Sequence, residues 1–360
     1  LSQLYGIQAL RALAAFMVAV HHAQHDAVVV AQRAGGAFAP STLLPWMAGV
    51  DIFFVVSGFI MVHASASLFD RPDGAKLFLA RRLARIVPLY WAATTLFLAV
   101  GLAAPAALNS GAPDLAQIAG SYLFWPVVST MGLIQPVYSL GWTLNYEMLF
   151  YALFGAGLLL PGRWTLPAVA IALAVLVMAE AAAGPLRLPF GFWGQPIVLE
   201  FAAGMGLAVL RRRGLRLGLS GRAIVAALGV AVLLAAAQWP GDGGAWSSFA
   251  WQGGAAALLV AAAACGERRR PPSVPVRVLA LVGDASYALY LIHPFVIRGL
   301  REVFARLGWG SPLAFIALAL LGAVAVALLA HRYFEKPATG WLRRVLGSGT
   351  TPSFRGRPQA

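Results

Sequence analysis

The side chains of this chain that could do chemistry begin with an arginine and a histidine eleven positions apart, Arg11 and His22. Eleven residues is close to three helical turns, so on a helix both would point the same way, with His21 turned roughly 100° from them. Histidine is the usual general base for activating a hydroxyl, and a carboxylate partner would orient its ring and steady its charge. Asp51 and Glu147 are the candidates for that partner. Thr143 and Glu147 stand at i and i+4 on one helix face, beside Trp142, while Tyr287, Tyr290 and His293 are spaced by three and share another. Tyrosines in such a place also suit an aromatic belt or a core, but His293, followed by Pro294, needs a polar partner. Ser57, before Gly58, reads first as a close helix contact and only second as a nucleophile, because no base is adjacent in sequence. Arg82 and Arg85, with Leu79, Leu83 and Ile86, fit an interfacial helix on anionic lipid head groups or a clamp for phosphate. Spacing alone favours the lipid.

Membrane-spanning helices have to carry these groups. Apolar residues make up 60% of the 360 positions and charged residues 11%, too little polar surface for a water-soluble protein of this length. The apolar residues fall in blocks of about 17–25, the length that crosses roughly 30 Å of hydrocarbon as a helix. The expectation is an all-α, polytopic bundle of about ten spans. They lie near 7–28, 43–64, 88–104, 139–160, 164–183, 194–210, 223–239, 248–265, 278–298 and 312–331, with joints such as Pro161-Gly162, Gly184-Pro185, Pro240-Gly241 and Pro271-Pro272. The longest connection, 105–138, holds a stretch at 118–134 apolar enough to dip into the membrane without crossing it. No internal repeat is evident. Residues 1–340 read as one membrane domain and 341–360 as a polar cytoplasmic tail.

The net charge is +14, and 25 of the 27 basic residues are arginine. In a soluble protein that would point to nucleic acid; here the basic residues gather in loops, where they orient the chain. With the N-terminus inside, the loops 65–87, 161–163, 211–222 and 266–277 and the tail carry 21 Lys or Arg against 5 on the opposite face. The positive-inside bias asks for such a split and puts both termini in the cytoplasm. The Arg-Arg-Arg runs at 211–213 and 268–270 are then orientation signals. The single Cys265 allows no intramolecular disulfide and suggests no thiol–metal site. The first apolar segment, carrying Arg11, His21 and His22, makes a poor cleavable signal and a better first span. Because the sequence opens on Leu1 rather than Met, a short leader is expected to be missing.

An ionisable side chain at membrane depth costs at least about 2.5–3.5 kcal/mol, so each should face the bundle interior or a wet cavity. Arg11, His21, His22, Asp51, Glu147, Glu180, Glu200, Asp284 and His293 all fall within spans. At about 1.5 Å of rise per residue, His22, Asp51, Glu147, Glu200 and His293 reach a similar depth in the outer half, from five different spans. That argues for one shared cavity, with Arg11 nearer the cytoplasmic face. Taken singly, each could equally tie helices together by hydrogen bonds. Glu180, near a span end, and Asp284, in the turn Gly283-Asp284-Ala285-Ser286, read as structural.

Six segments, in order, carry a resemblance. They are Leu10-Arg11-Ala12-Leu13-Ala14-Ala15 through His22, then Gly49-Val50-Asp51-Ile52-Phe53-Phe54-Val55-Val56-Ser57-Gly58-Phe59, then Arg82-Leu83-Ala84-Arg85-Ile86-Val87-Pro88-Leu89-Tyr90-Trp91. Gly141-Trp142-Thr143-Leu144-Asn145-Tyr146-Glu147, Ser286-Tyr287-Ala288-Leu289-Tyr290-Leu291-Ile292-His293 and Tyr333-Phe334-Glu335-Lys336-Pro337 follow. Together they resemble the acyltransferase-3 family of integral membrane proteins, particularly its exopolysaccharide-production branch. Each segment alone is weak; six in the right order are specific.

The resemblance implies an enzyme of the inner (plasma) membrane that moves an acyl group, usually acetyl, from cytosolic acyl-CoA to a carbohydrate hydroxyl, with no metal. It carries the catalytic histidine to His22 rather than His21, pairs it with Arg11, and puts the family's Arg-x-x-Arg on Arg82 and Arg85. That raises the donor-phosphate reading of those arginines above the lipid one. Asp51 or Glu147 would steady the imidazolium, and Ser57, Trp142, Thr143, Tyr290 and His293 would line the substrate pocket. The partners implied are the bilayer, acyl-CoA (acetyl-CoA first) and a carbohydrate or lipid-linked glycan, with no nucleic acid. Direct transfer and an acyl-histidine intermediate both stay open. Some relatives carry an extracytoplasmic hydrolase-like domain after the membrane core; this chain resembles the stand-alone form. The rival class is a transporter or flippase for a lipid-linked glycan, for which polar groups at shared depth are equally expected, though no paired, broken-helix repeats are seen. A structural subunit of an export complex would leave the intramembrane charges without a purpose.

Overall fold

The computed structural model describes residues 4–103, 112–238, 244–266 and 273–348. In chain order the helices are α1 (Tyr5–Arg33), α2 (Gly49–Ala64), α3 (Gly74–Ala103), α4 (Leu115–Leu123), α5 (Trp142–Gly157), α6 (Gly162–Ala183), α7 (Phe190–Trp193) and α8 (Leu199–Arg212). They continue with α9 (Leu219–Gln238), α10 (Gly244–Ser248), α11 (Gly254–Ala264), α12 (Val274–Asp284), α13 (Ser286–Leu307), α14 (Pro312–Ala330) and α15 (Lys336–Val345). Among the described residues there are no strands, only isolated bridges between Val128 and Ile134 and between Leu217 and Gly266. The all-α bundle expected from the apolar blocks is the fold.

Seven helices, with their flanking turns, are long and apolar enough to cross a membrane: Tyr5–Arg33, Trp46–Ala64, Gly74–Ala103, Gly162–Ala183, Leu219–Gln238, Gly244–Ala264 and Pro312–Val345. An eighth is a broken one, Val274–Asp284 with Ser286–Leu307, bent by 70°. Two of the ten expected spans fall short of this measure. The blocks at 139–160 and 194–210 form α5 and α8, of 16 and 14 residues, about 24 and 21 Å at 1.5 Å per residue against a core of about 30 Å. The block at 278–298 is not one straight helix either. Its polar turn Gly283-Asp284-Ala285-Ser286 is the bend itself. The 118–134 stretch opens as the short helix α4, whose N-cap Asp114 accepts from the Gln117 amide at 2.7 Å, and continues as irregular chain from Phe124.

α1 is the hub. Its small buried residues, Ala12, Ala14, Ala15, Ala19 and Ala23, let α2, α11, α12, α13 and α14 all pack against it. α2 is sandwiched between α1 and α8. At that second contact Gly58 and Gly204 face the opposing backbones: a Cβ on Gly58 would overlap the Phe201 carbonyl, and one on Gly204 the Val55 carbonyl. Two reciprocal glycines bring the helices close enough to fix the rotation of α2 about its own axis. That rotation decides which of its side chains look inward. Past α14, a wide turn at His331–Glu335, tied by His331 Nδ1 to Glu335 Oε2 at 2.7 Å, leads into α15, which packs on α3. The expected domain limit at 340 falls within α15, and residues 349–360 of the expected tail lie outside the described residues.

Candidate active site

α1, α2, α3, α5 and α13 enclose a cavity of about 190 Å³. One end is lined by Arg82 and Arg85, the middle by Arg11, Ser57, Glu147 and Tyr151, and the far end by Phe53, Thr143 and Tyr290. Three arginines stand against one carboxylate, so the chamber suits an anion. Arg11 is held from behind: its Nη1 donates to Gln8 Oε1 at 2.8 Å, and Gln8 Nε2 donates to Asp284 Oδ1 at 2.6 Å. The bend between α12 and α13 thereby anchors an arginine one turn into α1. Glu147 accepts from Ser57 Oγ at 3.1 Å and from the Tyr151 hydroxyl. Arg82 lies over the Phe78 ring at 5.9 Å, and its Nε has no hydrogen-bond partner among the described residues. At the far end the Thr143 and Tyr290 hydroxyls are 3.0 Å apart, and that of Tyr290 donates to the Leu140 carbonyl at 3.0 Å.

Beyond Tyr290 come two histidines. The His293 ring is 6.3 Å from that of Tyr290 and 5.0 Å from that of His22. His293 Nδ1 is 2.9 Å from the Leu289 carbonyl and His22 Nδ1 is 2.9 Å from the Val18 carbonyl. A carbonyl can only accept, so in both rings Nδ1 carries the proton. His293 Nε2 is then a bare acceptor, 3.3 Å from His22 Nδ1, and His22 Nε2 keeps its lone pair for other work. His293 is fully buried and His22 half-buried.

The sequence profile of one family, an acyltransferase domain known as acyltransferase-3, matches residues 4–332. The chain belongs to the acyltransferase-3 family. It is 35% identical over 314 residues to the exopolysaccharide production protein ExoZ of Rhizobium meliloti (strain 1021), covering 86% of this chain and 94% of the relative. It is 30% identical to the acyltransferase MdmB of Streptomyces mycarofaciens, over 98% of this chain and 95% of that one. No solved structure matches. The protein is a membrane acyltransferase, and its catalytic groups are to be sought where polar side chains meet inside the bundle.

Within this acyltransferase, Arg11, Ser57, Arg82, Arg85, Thr143, Glu147 and Tyr290 line one cavity, whereas of the five groups expected to share one, His22, Asp51, Glu147, Glu200 and His293, only Glu147 lines it. His22 and His293 stand together behind Tyr290 rather than on the cavity wall. The carboxylate partner expected for His22 is elsewhere. Asp51 is six residues before Ser57, about 120° around the helix, and so faces α8. There its carboxyl neighbours that of the fully buried Glu200, whose oxygens have no hydrogen-bond partner among the described residues. Both acids sit in the first turn of their helices, where the helix dipole favours negative charge, and two carboxyls in contact share a proton. Glu147 is committed to Ser57 and Tyr151. The imidazole of His293 takes the place against His22 foreseen for a carboxylate. Trp142 packs edge-on against Tyr146 at 5.9 Å and does not line the cavity. Asp284 and Glu180 are structural, the latter accepting from the Leu186 amide at 2.9 Å. Gln8 and Tyr151 are cavity residues the sequence reading passed over, although each lies one turn from a residue it singled out, Arg11 and Glu147.

Proposed function

We propose that this acyltransferase transfers an acyl group, acetyl in the first instance, from acyl-CoA on the cytosolic side of the inner membrane to a hydroxyl of an exopolysaccharide carbohydrate or its lipid-linked precursor. The observation that carries this reading is the line from Arg82 and Arg85, through a cavity with a surplus of positive charge, to Tyr290, His293 and His22. Guanidinium forks match phosphate oxygens, so the two arginines of α3 hold the donor's nucleotide end while its pantetheine arm lies along α2 and α5. The acceptor arrives from the opposite face, where His22 is partly open.

His22 Nε2 takes the proton from the acceptor hydroxyl as that oxygen bonds to the thioester carbonyl carbon. The carbon–sulfur bond breaks, CoA leaves as a thiolate, and the proton passes from His22 to the sulfur, restoring both rings. While His22 is charged, its Nδ1–H is shared between the Val18 carbonyl and His293 Nε2, which spreads the positive charge into a second ring. Tyr290 separates the cavity from the histidines, so its ring must swing off Leu140 and Thr143 for thioester and base to meet. The ExoZ name supports an exopolysaccharide acceptor and the MdmB name supports acyl transfer.

The test is acetyl transfer from labelled acetyl-CoA to isolated surface polysaccharide by His22→Ala protein in membranes. Transfer should vanish while membrane insertion and detergent elution stay as in the wild type. Full activity in that variant defeats the assignment, and release of free CoA without acylated polysaccharide in the wild type defeats the acceptor.

A further inference from the structure

Past the arginine end of the cavity, the positive charge of α3 continues onto a helix that the family profile does not reach. The profile ends at residue 332, and α15 begins at Lys336. α15 packs on α3 and brings Arg343 within electrostatic reach of Arg81, Arg82 and Arg85. Arg81 and Arg85 are four residues apart and share a face of α3, so Arg343 stands over that face. Of the four arginines, Arg82 and Arg85 line the cavity, whereas Arg81 and Arg343 lie outside its wall.

No acid answers this charge. Among the described residues none of the four arginines makes an ion pair. Two carboxylates come within reach, Asp73 of Arg81 and Glu147 of Arg82, and both are engaged elsewhere. Asp73 holds Arg71 through both oxygens, at 2.9 and 2.8 Å, and Glu147 accepts from Ser57 and Tyr151. The Nε of Arg343, like that of Arg82, is buried without a hydrogen-bond partner among the described residues. Like charges gathered around buried, unsatisfied donors are costly until an anion joins them. One phosphate cannot serve both the cavity lining and the surface outside it, so the arrangement fits an anion with phosphates at two places.

An acyl-CoA carries its phosphates in that way. Outward from the thioester come pantetheine, a diphosphate, and then a ribose bearing a 3′-phosphate. With the diphosphate on Arg82 and Arg85, the 3′-phosphate lies farther out, where Arg81 and Arg343 are. We propose that Arg343, together with Arg81, binds the 3′-phosphate of the donor and so selects CoA thioesters over donors that lack this group. The assignment rests on the acyl-CoA reading of Arg82 and Arg85. Its test is binding rather than turnover: isothermal titration of full-length protein, in nanodiscs of phosphatidylcholine that offer no anionic head group, with CoA and with 3′-dephospho-CoA. The wild type should bind CoA roughly 10-fold or more tightly than 3′-dephospho-CoA, the worth of charge-assisted hydrogen bonds to one phosphate. Arg343→Gln should weaken CoA to the level of the dephospho compound and leave the Kd of the latter unchanged, while Arg343→Lys recovers part of the difference. Arg344→Gln, an equal charge change at the exposed neighbour, should leave both Kd values in place. Should Arg343→Gln disturb α15, Arg81→Gln carries the same selective loss without touching that helix. Arg343 loses this role if the wild type does not distinguish the two ligands, if both arginine variants weaken both ligands equally or neither, or if Arg344→Gln acts as Arg343→Gln does. Acetyl transfer that persists in any of those cases leaves the acyl-CoA reading standing, whereas tight, selective CoA binding without acetyl transfer keeps the phosphate site and removes the acceptor chemistry.

Discussion

His22 and His293 differ in what surrounds them, and in the proposed mechanism that difference separates their roles. His293 has both ring nitrogens engaged, one on Leu289 and one on His22, inside a fully buried site. It can orient His22 and accept from it but has no route to substrate. His22 has its Nδ1 occupied and its Nε2 available. Replacing His293 with Phe keeps a planar ring and removes the acceptor. A hydrogen bond to a charged group contributes about 1.5–3 kcal/mol, so kcat should fall roughly 10- to 100-fold, with KM for acetyl-CoA little changed because Arg82 and Arg85 are untouched. His293→Gln, which returns an acceptor, should recover part of kcat. Steady-state kinetics on membranes decides the matter: a kcat within twofold of wild type in the Phe variant would reduce His293 to a packing residue.

Helices place these side chains by rotation, and the α2–α8 contact is where rotation is set most tightly. A side chain on Gly204 would meet the Val55 carbonyl and the Phe59 amide, whereas Gly206, two residues on, has open space around it. Gly204→Leu should therefore lower Tm in detergent by the equivalent of about 1–3 kcal/mol or more and impair transfer by turning Ser57 off the cavity, while Gly206→Leu leaves both near wild type. Equal Tm in the two variants would mean that α2 and α8 do not meet as described. The same contact explains what was legible in the sequence. Periodicity along one helix predicts who shares a face, and Thr143 with Glu147, Arg82 with Arg85, and Tyr287 with Tyr290 all line one cavity together. Nothing in the spacing tells which face of α2 turns toward α1 or α8, so Asp51 could be put at the right depth but not opposite Glu200, and His293 could be seen to need a partner but not to find it in His22. Helix existence followed from apolar blocks alone, whereas the shortness of α5 and α8 follows from where their backbones leave the helix, in the irregular segments before Ser139 and Pro196.

Across the whole molecule, the Arg82 and Arg85 end of the cavity and the ends of α2, α8 and α11 that Arg212, Arg216 and Arg211 cap fall on the face that the basic loops assign to the cytoplasm. The start of α3, the end of α8 with the turn that follows it, and α15 gather Arg81, Arg82, Arg85, Arg211, Arg212, Arg216 and Arg343, whereas the far face has Arg33 and Arg301 tied to Glu302 and Asp26. Orientation follows the count of Lys and Arg in short loops, and an acyl-CoA made in the cytosol requires that same orientation if Arg82 and Arg85 are to meet it. The exposed residues Ala37, in the loop between α1 and α2, and Ser67, in the loop between α2 and α3, lie across one helix from each other. In a Cys265→Ser background, Ala37→Cys in intact cells should react with a membrane-impermeant maleimide, and Ser67→Cys should react only after the membrane is opened. Leu219→Cys, at the start of α9, should behave as Ser67→Cys does. If Ser67→Cys labels from outside, the arginines of α3 face away from the cytosolic donor pool, and the direction of transfer through the cavity has to be reversed.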